Sequence, residues 1–220
     1  MALIPFAEKK LIAPGSNDPR IRARIGILHV DAGNASDLFD FFKNRSGGIE
    51  SHGHIRRDGH LYQYRDTAFQ ADANHNANDF AISFETQGFG EGEWTPEQLA
   101  TIKRVMLWAR DVHGIPLRVV TTWNDPDGGW GYHTLFGAPS NWTPVSKSCP
   151  GPDRKRQFHD VLVPWMRNPQ GDDYMSTDDA KARLERIEQK LDDLAEFVNE
   201  RVRKTSLRRD TRIWDKLRGK

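Results

Sequence analysis

Between residues 21 and 166 short apolar runs of strand length alternate with stretches of helical periodicity, and clusters of Gly, Pro or Asn punctuate nearly every junction. That alternation constrains the fold more than any other feature. Each strand must bury a face against a helix, so the chain is expected to form an α/β domain with a central mixed β-sheet flanked by helices. Ile25, Ile27 and Leu28 read as a strand running into His29 and the turn Asp31-Ala32-Gly33. Residues 36–43 (SDLFDFFK) read as a short capped helix, and 60–64 as one arm of a hairpin after the Asp58-Gly59 turn. Residues 81–85 (AISFE) alternate as a strand does.

The clearest helix signal is Thr95-Pro96-Glu97-Gln98, which supplies an N-cap, a proline in the first turn and a capping-box glutamine. The helix is expected to end at Gly114 and to bury Leu99, Ile102, Val105, Met106, Ala109 and Val112. Residues 117–122 (LRVVTT) read as a β-branched strand, 128–132 as a Gly-rich loop, and 158–166 as a closing helix interrupted by Pro164.

After Asn168-Pro169-Gln170-Gly171 the composition changes, so the domains are expected to be 1–170 and 171–220. In the second, Ala180, Leu184, Ile187, Leu191, Leu194 and Val198 recur at spacings of four and three, the seam of an amphipathic helical extension. Such a seam serves self-association into a homo-oligomer, or packing on the chain's own domain. Beyond Glu200 nine Lys or Arg accompany only Asp210 and Asp215. That basic tail suits an anionic cell-surface polymer or plain solvation. Met175 is a possible internal start.

A net charge of +1 over 220 residues argues against nucleic-acid binding by general basicity, and no run is long enough to span a membrane. The first residues, MALIPFAEKK, lack the pattern of a secretory signal peptide, so synthesis in a cytoplasm is expected. Cys149 is the only cysteine, which leaves its thiol unpaired by any intrachain disulfide.

Three residues stand out by context. His29 closes a strand, His133 follows the Gly-rich stretch, and Cys149 precedes Pro150-Gly151-Pro152. Two imidazoles and a thiolate can hold zinc with a fourth position open to solvent, the arrangement of catalytic zinc. Lys147 lies two residues before Cys149, on the same side of an extended segment, where an ammonium can stabilise an oxyanion. Read alone, the spacing leaves an inert thiol, polar histidines and a surface lysine equally open.

The segments ILHVDAG, GYHTLFG and KSCPGP around these residues resemble the three zinc-ligand segments of the type 2 N-acetylmuramoyl-L-alanine amidase family, which shares its fold with peptidoglycan-recognition proteins. SHGHIRRDGHLYQY resembles the family's hairpin, and NDFAISFETQG its strand ending in a functional glutamate. The resemblance runs in order from residue 25 to 152. It implies zinc held by His29, His133 and Cys149, Glu85 as general base and Lys147 as the oxyanion-stabilising cation.

It also implies peptidoglycan as substrate, with Ser51, His52 and His75 contacting or supporting it. Ser51 stands where one branch of the family carries a tyrosine, so proton transfer is expected to fall to Glu85 alone. Cys149 stands where many relatives have aspartate. The function this implies is a phage endolysin, made without a signal peptide and acting on the wall after release. A cytoplasmic amidase recycling soluble muropeptides and a recognition protein that binds without cutting are the competing classes. Trp123, Trp130 and Trp142 are candidates either for the core or for a glycan groove.

Overall fold

The computed structural model describes residues 1–12, 19–44 and 50–169, together with Ala195 and Val198. The chain divides into two compact units, Met1–Asp172 and Asp173–Lys220. The heptad seam, the basic tail and Met175 lie outside the described residues, apart from Ala195 and Val198, which are helical and exposed.

Within the first unit, six strands form one mixed sheet: β1 (Glu8–Lys9), β2 (Ile25–Leu28), β3 (Gly53–Ile55), β4 (Leu61–Gln63), β5 (Ala81–Thr86) and β6 (Gly129–Tyr132). Their order is β1-β4-β3-β5-β2-β6. The hairpin β3–β4 is antiparallel, and the other neighbouring pairs are parallel. Helix α1 (Phe39–Asn44) follows β2, α2 (Pro96–His113) precedes β6, and the chain closes with α3 (Pro152–Gln157), a π-helical turn (Phe158–Leu162) and α4 (Val163–Arg167). The expected α/β architecture is present.

The strands of the parallel core are almost wholly buried, β2 and β6 at every position, as a sheet covered on both faces requires. On one side Ile102, Val105, Met106 and Ala109 of α2 pack with Ile82, Phe84, Phe158, Leu162 and Trp165. On the other, Ile25 and Ile27 meet Ala77, Phe80, Val120 and Trp142.

Helix α2 begins as expected. Thr95 accepts from the Gln98 backbone N–H while the Gln98 side chain accepts from the Thr95 N–H, and Gly114 closes the helix in the left-handed region at φ 74°. Val112 of its expected inner face is instead 50% exposed, in the last turn, while Gln98 and Trp108 are buried.

Three expectations need correction. The Gly-rich stretch 128–132 is not a loop: it contains β6, paired along β2 with Gly26 opposite Trp130. A Cβ at Gly26 would lie 2.3 Å from the Trp130 ring, so glycine there lets the indole cross the strand. Residues 117–122 are not a strand but contribute a single bridge, Val119 to Trp130. The Asp125 carboxylate captures both the backbone N–H and the hydroxyl of Thr121 and binds Arg118, pulling the chain away from the ladder. Pro164 does not interrupt the closing helix, because the wider π turn ahead of it accommodates the missing N–H.

Candidate active site at the carboxyl ends of three parallel strands

Register places the chemistry. Leu28 of β2 pairs with Phe84 of β5 and with Tyr132 of β6, so the next residues along, His29, Glu85 and His133, stand side by side at one edge of the sheet. Backbone bonds extend both ladders: His29 N–H donates to Phe84 O, and His133 N–H to Leu28 O. Carboxyl ends of parallel strands are where open α/β sheets present ligand sites. The two imidazole centroids lie 4.2 Å apart.

Cys149 arrives from a separate loop. Its Sγ accepts from Val30 N–H at 3.3 Å, and its carbonyl accepts from Thr134 Oγ1 at 2.6 Å. One donor atom from each of His29, His133 and Cys149 falls within 4.8 Å of the others. The three residues that the sequence singled out separately are therefore brought together.

The orientation of each imidazole is set from behind. His29 Nε2 is 2.7 Å from Asn74 Oδ1, and His133 Nε2 is 3.1 Å from the Trp142 carbonyl. Both partners are acceptors, so each Nε2 carries the proton and each Nδ1 turns a lone pair inward. Burial, aided by the neighbouring ring and the Lys147 ammonium, holds His29 well below its ordinary pKa; burial and Lys147 bring His133 down to about 4. Both rings are neutral at pH 7.

The Cys149 thiol is pushed up to about 12, first by burial and then by the Glu85 carboxylate. Two neutral imidazoles and a thiol converge on one point, and that donor set fits a borderline-soft divalent ion such as zinc. A bound divalent cation would make the thiolate the stable form.

Glu85 faces the same space. Its Oε1 lies 3.8 Å from His29 Nδ1 and accepts from Ser51 Oγ at 3.2 Å. Its Oε2 is buried with no partner among the described residues. Burial, with the Asp31 carboxylate adding to it, lifts the Glu85 carboxyl to about 7, against the pull of Ser51 and Lys147. A carboxylate balanced near neutrality and holding an unused lone pair is suited to proton transfer.

These groups line a pocket of about 620 Å³ with Ser51, Lys147 and Ser148 at its polar side and Val30, Leu38, Phe41 and Phe42 along an apolar wall. Lys147 is exposed and acts electrostatically on His29, His133 and Glu85.

Not every expected residue reaches the pocket. His52 is fully buried on the far side of its strand, its Nδ1 accepting from Ser83 N–H at 3.1 Å and its Nε2 donating to the Phe69 carbonyl at 3.0 Å. Ser51, the residue before it, lines the pocket, whereas the His52 ring is held between Ser83 and Phe69 and does not. His75 is exposed at φ 48° in a short 3₁₀ turn and does not line it. Trp130 and Trp142 are core residues with no exposed surface.

Asn74, by contrast, carried no signal beyond its place in NHNAN, since a buried amide has no spacing rule. Asp31 was visible only as a turn residue. Its carboxylate accepts from the backbone N–H groups of Gly33 and Gly88, and its Oδ2 lies 3.4 Å from His54 Nε2.

The sheet order and the pocket at its edge define an α/β domain built around a His/His/Cys donor set with an adjacent carboxylate. A sequence profile described as N-acetylmuramoyl-L-alanine amidase matches residues 19–152, and the chain belongs to that family.

Solved structures share the fold. N-acetylmuramoyl-L-alanine amidase LysC from Clostridium intestinale is 17% identical, over 71% of this chain and 98% of that one, with a TM-score of 0.52. Drosophila peptidoglycan recognition protein SD is 14% identical over 70% and 94%, with a TM-score of 0.52. A selenomethionine derivative of AmpD is 18% identical over 73% and 96%, with a TM-score of 0.51. A search of curated protein sequences finds no significant match.

Proposed function

We propose that this chain is a zinc-dependent amidase that hydrolyses the bond between N-acetylmuramic acid and L-alanine in bacterial peptidoglycan. The observation that carries the reading is the convergence of His29, His133 and Cys149 within 4.8 Å, with a Glu85 carboxylate oxygen 3.8 Å from His29 Nδ1. A zinc ion held by these three residues would supply Lewis acidity, polarising the amide carbonyl and acidifying water at neutral pH.

The chain's own groups do the rest. Glu85 accepts the proton of the attacking water through its unpartnered Oε2 and passes it to the departing amide nitrogen, so the alanine amine leaves neutral. Ser51 holds the other carboxylate oxygen and fixes the direction of Oε2. The Lys147 ammonium offsets the charge that develops on the carbonyl oxygen. The wall of Leu38, Phe41 and Phe42 excludes water from one side of the reacting bond.

The biological setting we infer is lysis of a host cell wall by a phage endolysin, made in the bacterial cytoplasm and acting after release. One of the similar structures supports that setting by name, an endolysin N-acetylmuramoyl-L-alanine amidase, LysCS, from Clostridium intestinale. No helix among the described residues is long and apolar enough to cross a membrane.

The test is to incubate purified protein with intact walls and, separately, with soluble muropeptides, and to measure new amino-terminal alanine with and without a chelator. Chelator-sensitive release from intact walls is expected. Release confined to soluble fragments would favour a recycling amidase, and tight binding without release in the presence of zinc would favour a recognition protein.

A further inference from the structure

Behind the third donor sits a cation that the mechanism above does not use. Arg154, in the first turns of α3, has no exposed surface. Its Nη1 donates to the Phe89 carbonyl at 2.7 Å, to the Pro150 carbonyl at 3.3 Å and to the Glu91 carbonyl at 3.4 Å. Its Nε and Nη2 meet no acceptor among the described residues.

The two segments it joins matter. Phe89 and Glu91 flank Gly90, which lines the pocket, and Pro150 follows Cys149 directly. The backbones there are already in close contact: a Cβ at Gly151 would fall 1.8 Å from the Gly90 carbonyl oxygen, and one at Gly88 would fall 2.3 Å from Arg154 Nη2. Glycine at 151 lets the two loop backbones touch, and glycine at 88 leaves room for the guanidinium beside them.

We propose that Arg154 is a positioning residue for the metal site: it rivets the Cys149-Pro150 loop to the 89–91 loop and so holds Cys149 Sγ within bonding reach of His29 and His133. The inference rests on the zinc reading above. A guanidinium buried with two nitrogens unpartnered is a costly way to fill space, and an apolar side chain of similar volume would serve stability as well or better. What an apolar side chain cannot do is hold three carbonyls from two loops at one point.

Cys149 needs such a fixture more than the histidines do. His29 and His133 are carried by ladders of the sheet, whereas the Cys149 loop is tied to the sheet by the Val30 N–H and the Thr134 hydroxyl. Lys147 rides on the same loop, so the rivet also sets where the ammonium stands.

The experiment compares zinc affinity, by competition with a chromophoric chelator, across four full-length proteins: wild type, Arg154→Met, Arg154→Lys and the core control Val105→Ala. Val105 is buried in α2, away from the pocket. Arg154→Met is expected to weaken zinc about 10–100-fold, the range for lost support of a metal ligand. Arg154→Lys should fall between, because one ammonium keeps the charge but not the three-point contact.

Loading the same proteins with cobalt gives a second readout. The near-ultraviolet thiolate-to-metal charge-transfer band should weaken in Arg154→Met and persist in Val105→Ala, even where both melt at lower temperature than wild type. A folded Arg154→Met protein with zinc affinity within twofold of wild type and an undiminished cobalt band would overturn the proposal. So would Val105→Ala losing affinity to the same extent, since that would make the effect one of stability. Should Arg154→Met not fold, Arg154→Lys decides alone, and wild-type affinity there refutes the rivet. Wild-type protein that takes up no zinc refutes the amidase reading itself, and this inference falls with it.

Discussion

Replacing Asn74 by alanine isolates the support behind His29. Asn74 is fully buried, and its Oδ1 lies 2.7 Å from Nε2 of a histidine that is only 3% exposed. Removing the amide strands the Nε2–H without a partner, which costs about 1–3 kcal/mol for a buried donor. It also frees the ring to place its proton on Nδ1, the nitrogen that must carry a lone pair for the metal.

Loss of such a partner also lowers metal affinity by roughly 10–100-fold, equivalent to about 1.4–2.7 kcal/mol. Water entering the space vacated by the amide would replace part of the acceptor and move the result toward tenfold. The assay is zinc competition at pH 7.5 alongside thermal melting of the metal-free protein. Asn74→Ala should bind zinc about tenfold or more weakly, and turnover at saturating zinc should change much less than affinity. Asn74→Asp, which keeps an acceptor, should retain most of the affinity. A folded Asn74→Ala protein with wild-type zinc affinity would refute the view that this hydrogen bond prepares His29.

Further predictions concern the base, pH, packing and the extension. Glu85→Gln should cut alanine release roughly 10²–10⁴-fold while zinc remains bound; retained turnover would remove Glu85 from the mechanism. His52 is held neutral with its pKa at about 4 against 6.5 when unfolded, so its contribution is complete above pH 6.5 and is lost as pH falls through 4. That gap amounts to about 3 kcal/mol, and urea midpoints between pH 7 and pH 4 should fall less steeply in His52→Gln than in wild type. Gly26→Ala drives a methyl to 2.3 Å from the Trp130 ring and should destabilise the fold measurably in thermal melts. Overpacking of this kind costs about 1–3 kcal/mol. Truncation after Gly171 should lower the sedimenting mass by more than the deleted residues if the heptad seam joins copies of the chain, and salt should weaken wall binding of the full chain if the basic tail docks on an anionic polymer.

The sequence revealed local chemistry well and long-range register poorly. The capping box and left-handed glycine delimit α2 because those signals act within one turn of backbone. That His29, Glu85 and His133 stand in one row was not legible, since it depends on β2 pairing in parallel with strands 56 and 104 residues further along the chain. GGWGY looked like a loop because glycine weakens strands in general. It forms a strand here because Gly26 of the neighbouring strand lets the Trp130 ring cross it, a fit that exists only between strands.

Site residues divide the same way. His29, His133, Cys149, Glu85 and Lys147 are reactive types in distinctive contexts, and all five line one pocket. Asn74 and Arg154 act through hydrogen bonds to residues far away in sequence, and nothing in their neighbours advertises that. His52 shows the converse: a reactive type next to a pocket residue, held in the interior by Ser83 and the Phe69 carbonyl.

The mechanism proposed here requires that His29, His133 and Cys149 hold one catalytic zinc ion. Elemental analysis of the purified wild-type protein, paired with His133→Ala and with alanine release from peptidoglycan before and after chelation, tests it most directly. One zinc per chain is expected, with its loss in His133→Ala and release that stops on chelation and returns with added zinc. Alanine release that proceeds unchanged in a metal-free protein would contradict it.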